Sequence, residues 1–216
     1  MRLVRITSSY GAMVSVLLVF FTAHALAKDS RSPEQIVEEN ASKLFSVLNN
    51  ERERLRANPD LLNELIQETV LPVLDMVSMG KLILGKYWKQ ASEEQRSSFI
   101  QEFKDMLIRI YAKSMLEFGH AQVKVLHNQE QQGKYHTVKT ELDIGTGKAP
   151  LQIAYVFRNT KLNEWKIFDL SVDGLSLVKN FRTSFNQEIE ETSLNALIKR
   201  LANSNKTGNS DAVPAE

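Results

Sequence analysis

Three histidines follow residue 27, at His120, His127 and His136, and none has the His-Glu-x-x-His spacing that sets two imidazoles on one helix face around zinc. His127 and His136 flank a turn and could approach each other, but no acidic third ligand accompanies them, so no metal is expected. Gly145-Thr146-Gly147-Lys148-Ala149 has the glycines and lysine of a phosphate loop. A true loop of that kind needs Gly where Leu142 stands and Ser or Thr where Ala149 stands, and it joins a strand to a helix; this segment reads as a hairpin turn. There is no Gly-x-Ser-x-Gly elbow to present a serine nucleophile. The chain has no Cys, which excludes a thiol nucleophile, thiolate metal sites and disulfides. Glu141, Asp143, Asp169 and Asp173 lie on or beside strand-like runs, where they could form an acid/base pair or be alternating solvent-facing charges. No resident cofactor and no enzymatic activity are expected.

Hydrocarbon binding is the chemistry that the residue types do supply. Met76, Met79, Leu82, Ile83, Tyr111 and Met115 lie on helix-like segments, and Val138, Leu142, Leu151, Ile153, Tyr155, Phe157, Val172 and Leu175 on strand-like ones. These two sets could meet between a helical layer and a sheet, as a plain packed core or as the lining of an apolar cavity. Methionine fits either arrangement, because its flexible thioether adapts to a cavity with variable contents.

The elements that must position these residues follow from periodicity. Ser32-Pro33 opens an amphipathic helix over 33–49, and Asn58-Pro59-Asp60 opens another that Pro72 interrupts. Residues 73–84 are apolar nearly all round, as a segment would be that is buried on more than one side or faces a ligand. Ser92-Glu93-Glu94-Gln95 is a capping box; the helix that it starts runs to Gly119. From residue 121 the period becomes two, with strand-like runs at 121–128, 134–144, 150–158 and 164–173 and short Gly- or Asn-bearing connectors that favour antiparallel neighbours. A last helix is expected over 186–202, followed by a disordered tail, 203–216, that lacks apolar residues. The expected fold class is α+β, with several helices packed on one face of a four-stranded antiparallel sheet and an apolar cavity between the layers.

Arg2 and Arg5, the apolar run of residues 12–23 and Ala25-Leu26-Ala27 form a secretory signal peptide over 1–27, with cleavage before Lys28; the same stretch left uncleaved would be a membrane anchor. Residues 28–202 are then one domain, with 25 bases against 26 acids in the chain after residue 27. That balance gives no electrostatic case for nucleic acid as a partner.

Leu84-Gly85-Lys86-Tyr87-Trp88-Lys89-Gln90-Ala91-Ser92-Glu93-Glu94-Gln95-Arg96, continuing to Phe99, Phe103 and Tyr111, resembles the MlaC family of toluene-tolerance, periplasmic phospholipid-binding proteins. A second block carries the same resemblance: Trp165-Lys166-Ile167-Phe168-Asp169, Asp173-Gly174-Leu175-Ser176-Leu177-Val178, Asn180-Phe181-Arg182 and Phe185. Asn58-Pro59-Asp60 and Leu71-Pro72 also match, so the likeness runs over residues 33–202. Trp88, Arg96, Asp169, Gly174 and Ser176 correspond by position. The resemblance implies a soluble periplasmic carrier that holds phospholipid acyl chains between helices and sheet. It would serve the Mla pathway, which maintains outer-membrane lipid asymmetry. The implied partners are an outer-membrane lipoprotein and porin complex and an inner-membrane ABC transporter with an MCE-domain ring. The fourteen apolar residues above are the expected lipid-binding set, with Arg96 at the rim. Hopanoid-linked members are similar, so the cargo could be another lipid; a lipid-acting enzyme and a chaperone-like module with a solid core are the rival readings.

Overall fold

The computed structural model describes residues 31–126, 130–147 and 149–208. The expected signal peptide, His127, Lys148 and the last eight residues lie outside the described residues. Helix α1, Pro33–Asn50, starts at a full capping box: the Ser32 hydroxyl accepts from Gln35 N while the Gln35 side chain accepts from Ser32 N. α2 (Arg52–Ala57) and α3 (Pro59–Thr69) follow, with Pro59 at the first position of α3; Pro72 then falls in a single 3₁₀ turn, Leu71–Val73. α4 (Met76–Leu84) is capped by Asp75, whose carboxylate accepts from Ser78 N, and short α5 (Lys86–Gln90) leads into α6, Glu93–Glu117, behind the Ser92/Gln95 capping box.

The strands are β1 (Gln122–Val125), β2 (Glu130–Gln132), β3 (Tyr135–Asp143), β4 (Leu151–Asn159), β5 (Trp165–Val172) and β6 (Leu175–Ser176). All pairings among them are antiparallel, in the order β1-β3-β4-β5-β6. The sheet is thus five strands wide and not four. The first expected run, 121–128, holds only β1, while β2 forms beyond it, in a stretch read as a connector; the two share the free edge of β3, where β1 pairs with Thr140–Asp143 and β2 with Tyr135–Thr137. The fifth strand, β6, escapes a periodicity search because two residues show no period. It exists because Asp173 (φ 48°) and Gly174 (φ 86°) form a two-residue turn of the kind that needs positive φ at both positions.

The C-terminal region also departs from expectation. Two helices replace the single one over 186–202: α7 (Leu177–Glu191) and α8 (Leu194–Thr207), separated at Thr192-Ser193, where Ser193 caps α8. α7 buries Val178, Phe181, Phe185 and Ile189, a regular helical stripe. The tail does not lose order at 203. α8 runs to Thr207 because Asn205 donates to Glu102 O (3.0 Å) and Glu102 Oε2 (2.8 Å) and accepts from Arg109 Nε (3.2 Å), polar anchors that apolar counting misses.

The buried side chains fall into three clusters. The first joins α4, α6, α7 and α8 around Phe99, Phe103, Phe181 and Phe185, with ring centroids 5.2–6.3 Å apart and mostly edge-on. The second joins the end of α1 (Leu44, Leu48) to α2, α3 and α6. In the third, Ile36 and Val37 near the start of α1 pack on Val138, Phe157 and Ile167 of the sheet. The helices are therefore not one layer over the sheet, as the apolar pattern suggested. α6 packs chiefly on α8, α3 and α4, while α1 lies on β1 and β3, and α4 and α7 reach β5.

A polar contact locks α1 in place: His136 Nε2 on β3 lies 2.5 Å from Glu34 Oε1, beside the Trp165 ring. Burial of the Glu34 carboxyl opposes its ionisation. Hydrogen bonds from its own N–H and from Ser32, with the bond to and charge of His136, outweigh that and hold it below the usual carboxylate value. Such a group adds stability that is complete above its unfolded value of about 4.3 and is lost as pH falls through the lower folded value. Glu34→Gln is expected to flatten the fall in unfolding free energy between about pH 5 and about pH 3, read by urea titration at stepped pH. Phe103→Ala, at the centre of the ring cluster, is expected to cost about 3–5 kcal/mol in the same assay at neutral pH.

Candidate functional site

Residues directly opposed across antiparallel strands share a face of the sheet. The pairs Val123↔Leu142, Val125↔Thr140, Val138↔Tyr155, Thr140↔Ile153, Leu142↔Leu151, Tyr155↔Leu170, Ile153↔Val172 and Val172↔Leu175 therefore assemble one continuous inner face. It carries no Lys, Arg, Asp or Glu among these positions, which contrasts with Lys124, Lys139, Glu141 and Asp169 on the other side. Towards α1 the face is closed: Val138, Thr140 and Phe157 are wholly buried. Away from α1 the cover thins. Leu142, Leu151 and Ile153 are half-buried, Val172 is 38% exposed and Leu175 is 75% exposed. An apolar ledge thus emerges into solvent at the β5–β6 turn. The turn is held rigidly, with Asp173 N donating to Gln152 O (2.8 Å) and the Asp173 carboxylate accepting from Gln152 N (2.9 Å).

Two hydroxyls interrupt this hydrocarbon. Burial pushes the Tyr155 hydroxyl up, against a hydrogen bond with Thr140, and burial likewise pushes up Tyr111 on α6. Both phenols stay neutral at physiological pH.

The structure unites the eight sheet residues of the expected lipid-binding set on this face but disperses the six helical ones. Met79 and Ile83 are buried in the ring cluster of α4, α6 and α7, with Met76 packed against it; Met115 joins the cluster of α1, α2 and α3; Leu82 is 38% exposed on α4; Tyr111 is half-buried on α6. Helical periodicity marks an apolar side, which Leu82 leaves for solvent, and it carries no information on which neighbour that side meets. Arg96 is not at the rim. Its guanidinium donates to Trp88 O (2.8 Å) and Lys89 O (3.4 Å) and lies over the Trp88 ring, fastening α5 to α6.

The strand carboxylates are likewise occupied. Asp169 accepts from Leu170 N, Ser176 Oγ (2.6 Å) and Val178 N, and so seats the start of α7. Asp143 accepts from Gly145 N in the β3–β4 turn, Asp173 serves the β5–β6 turn, and Glu141 lies 3.6 Å from Lys124. His120 Nε2 is bonded to Ile144 O and not to a metal-ligating neighbour. Among the described residues no three His, Cys, Asp or Glu side chains are grouped to hold a metal ion.

Two hollows are lined by residues outside the expected lipid-binding set. One, about 640 Å³, lies between α2, α3, α6 and α8, over Leu55, Leu62, Ile108, Ala112 and Leu116. The other, about 310 Å³, lies between α1 and β1 and is lined by Ala41, Phe45, Ala121 and Val123 with Glu38, Ser42 and Gln122. Val123 belongs to the inner face, so this second hollow opens onto its thinly covered half. Sequence reasoning missed it because Ala41 and Phe45 acquire meaning only once α1 is docked on β1.

Comparison with known proteins agrees with this geometry. The chain is similar to the "Intermembrane phospholipid transport system binding protein MlaC" of Haemophilus influenzae, 22% identical over 207 residues that cover 94% of this chain and 96% of that one. It is also similar to the "Toluene tolerance protein ttg2D" of Pseudomonas putida, 27% identical over 171 residues, 79% of this chain and 78% of the relative. Among solved structures, the phospholipid-binding protein from Ralstonia solanacearum in complex with a phospholipid has the same fold, with a TM-score of 0.72 at 19% identity over 80% of this chain and 96% of that one. The MlaC protein family model matches residues 38–203, from the middle of α1 into α8, and takes in the ring cluster, the whole sheet and its ledge. With the family model matched over most of its length, the chain belongs to the MlaC family.

Proposed function

We propose that the chain is a periplasmic, non-enzymatic carrier of phospholipid that works between two membranes, in a system that keeps the outer membrane asymmetric. The observation that carries this reading is the inner sheet face: sealed by α1 and the Glu34–His136 contact at one end, and free of Lys, Arg, Asp and Glu where it emerges at Val172 and Leu175 at the other. Acyl chains laid along that face would cover the ledge and enter the thinly covered half, and the hollow between α1 and β1 gives the face room at its edge. The names of the Haemophilus and Pseudomonas relatives and the lipid-bound Ralstonia structure support the same cargo. Among the described residues no helix is long and apolar enough to cross a membrane, and residues 1–27 would be removed on export.

The mechanism follows from solvation. Burying a methylene is worth about 0.8 kcal/mol, so two chains of about 16 carbons represent roughly 25 kcal/mol before ordering costs. Release into water would be far too slow for transport. The lipid must pass directly from the ledge into an apolar path on a docked partner: a lipoprotein and porin complex at the outer membrane, and an ABC transporter with an MCE-domain ring at the inner one. The carrier has no nucleotide site of its own in this reading, so any driving energy enters at a partner.

Leu175→Glu tests the mouth cleanly, because a side chain 75% exposed can be charged with little effect on folding, within about 0.5 kcal/mol. Lipid retained through purification, counted by native mass spectrometry, is expected to fall at least about tenfold, since a carboxylate facing hydrocarbon is strongly disfavoured. Unchanged occupancy would show that the ledge is not the mouth. Head-group choice is expected to be weak. The inner face offers hydroxyls but no basic cluster, and a solvent-screened contact contributes only about 0–1 kcal/mol, less than a tenfold preference. Competition between lipids of matched acyl chains measures this, and a preference well above tenfold would reveal a buried polar site for the head group.

A further inference from the structure

Leu162, 77% exposed, is the most exposed large apolar side chain among the described residues, and it is held there by the β4–β5 turn. Thr160 N donates to Glu164 O (2.8 Å), Asn163 N to Thr160 O (2.9 Å) and Glu164 N to Thr160 Oγ1 (3.2 Å), while Asn163 adopts φ 61°. The turn is therefore closed by its own hydrogen bonds and presents Leu162 at its tip. Asn159 N also donates to Lys134 O (2.9 Å), which brings the β2–β3 turn alongside, with Lys134 over the ring of Tyr135 (43% exposed). Arg158 Nε bonds Asp75, the N-cap of α4, which places Val77 (57% exposed) in the helix turn that starts at this end. Among the described side chains at this end, Asp75 is paired with Arg158, Glu164 with Lys166 at 3.7 Å and Glu34 with His136. Lys134 and Lys161 add positive charge beside exposed Leu, Tyr and Val.

We propose that this end of the sheet, centred on Leu162 with Lys134 and Lys161, is a contact surface for an anionic lipid bilayer. An apolar side chain on a rigid tip enters the head-group zone without an ordering cost, Tyr suits the polar–apolar boundary, and lysines at the same level meet lipid phosphates. The end opposite the Val172–Leu175 ledge then touches the membrane, so binding to a surface and holding of cargo are carried by different residues. The proposal goes beyond the carrier reading and does not depend on it.

The test is co-sedimentation of the purified protein with vesicles of phosphatidylcholine alone or mixed with phosphatidylglycerol. The mixed vesicles are expected to bind at least about tenfold more tightly, with the difference collapsing when salt is raised from about 0.05 M to about 0.5 M. Leu162→Asp and the double change Lys134→Glu/Lys161→Glu are each expected to lower binding to mixed vesicles at least about tenfold. Leu162→Trp is expected to keep binding and to blue-shift in fluorescence on vesicle addition. Lipid retained by native mass spectrometry should be unchanged in all these variants, which separates this surface from the cargo site. Failure of the unchanged protein to sediment with mixed vesicles overturns the proposal. So does equal binding to both vesicle types, or binding by Leu162→Asp at the original level, results that would return the tip to a protein partner or to no partner.

Discussion

Everything about the sheet depends on how α1 is docked. A strand set that alternates apolar and polar residues has one face that must be covered, and in this fold α1 covers half of it, through Ile36 and Val37 on Val138, Phe157 and Ile167. The same helix, two turns later, places Leu44 and Leu48 in the cluster of α2, α3 and α6, with Gly119 so close to Leu48 that a Cβ there would lie 3.0 Å away. One helix thus answers to two cores. It cannot shift along the sheet to cover the remaining half without leaving the helical cluster, and the uncovered half of the inner face is the geometric result.

Much of this was legible in the residues. Both capping boxes, at Ser32/Gln35 and Ser92/Gln95, mark helix starts because each satisfies two otherwise orphaned backbone N–H groups within four residues. The period-two runs gave β3, β4 and β5 and the correct inner face, since side-chain alternation is a property of the strand itself. The failures were of another kind. β6 and the short helices α2 and α5 are too brief for any period to show, and α7 was hidden because its stripe of Val178, Phe181, Phe185 and Ile189 begins straight after a strand. The last turn of α8 rests on Asn205, a residue whose anchor, Glu102, lies about a hundred positions away. For the site, the sheet half was readable and the helical half was not. Met79 and Met115 look alike in sequence and lie in different clusters, because helical periodicity specifies a direction and not a neighbour.

Charged residues, Asp169 of the candidate carboxylates among them, build the joints of the architecture. Asp75 caps α4 and is bonded to Arg158 on β4; Asp169 seats α7 on the sheet; Arg96 joins α5 to α6; Arg200 forms a two-pronged pair with Glu188 that ties α8 to α7. Each spans a junction between elements, and Asp75, Asp169 and Arg96 also satisfy backbone groups at helix ends. Polar chemistry spent on these joints, and on the Glu34–His136 contact under α1, leaves the thinly covered half of the inner face free of Lys, Arg, Asp and Glu, as suits a surface for hydrocarbon.

The three clusters are unequal in size, and that has a consequence for motion. Fourteen buried side chains hold α4, α6, α7 and α8 together, whereas five, with the Glu34–His136 contact, hold the start of α1 on the sheet. On that difference, backbone amides in the large cluster are expected to exchange with solvent only when the whole fold opens, and those in the first turns of α1 through a smaller, local excursion. Two clocks are the expected result, a slow one in the aromatic interior and a faster one in the first turns of α1, whose later turns stay anchored by Leu44 and Leu48.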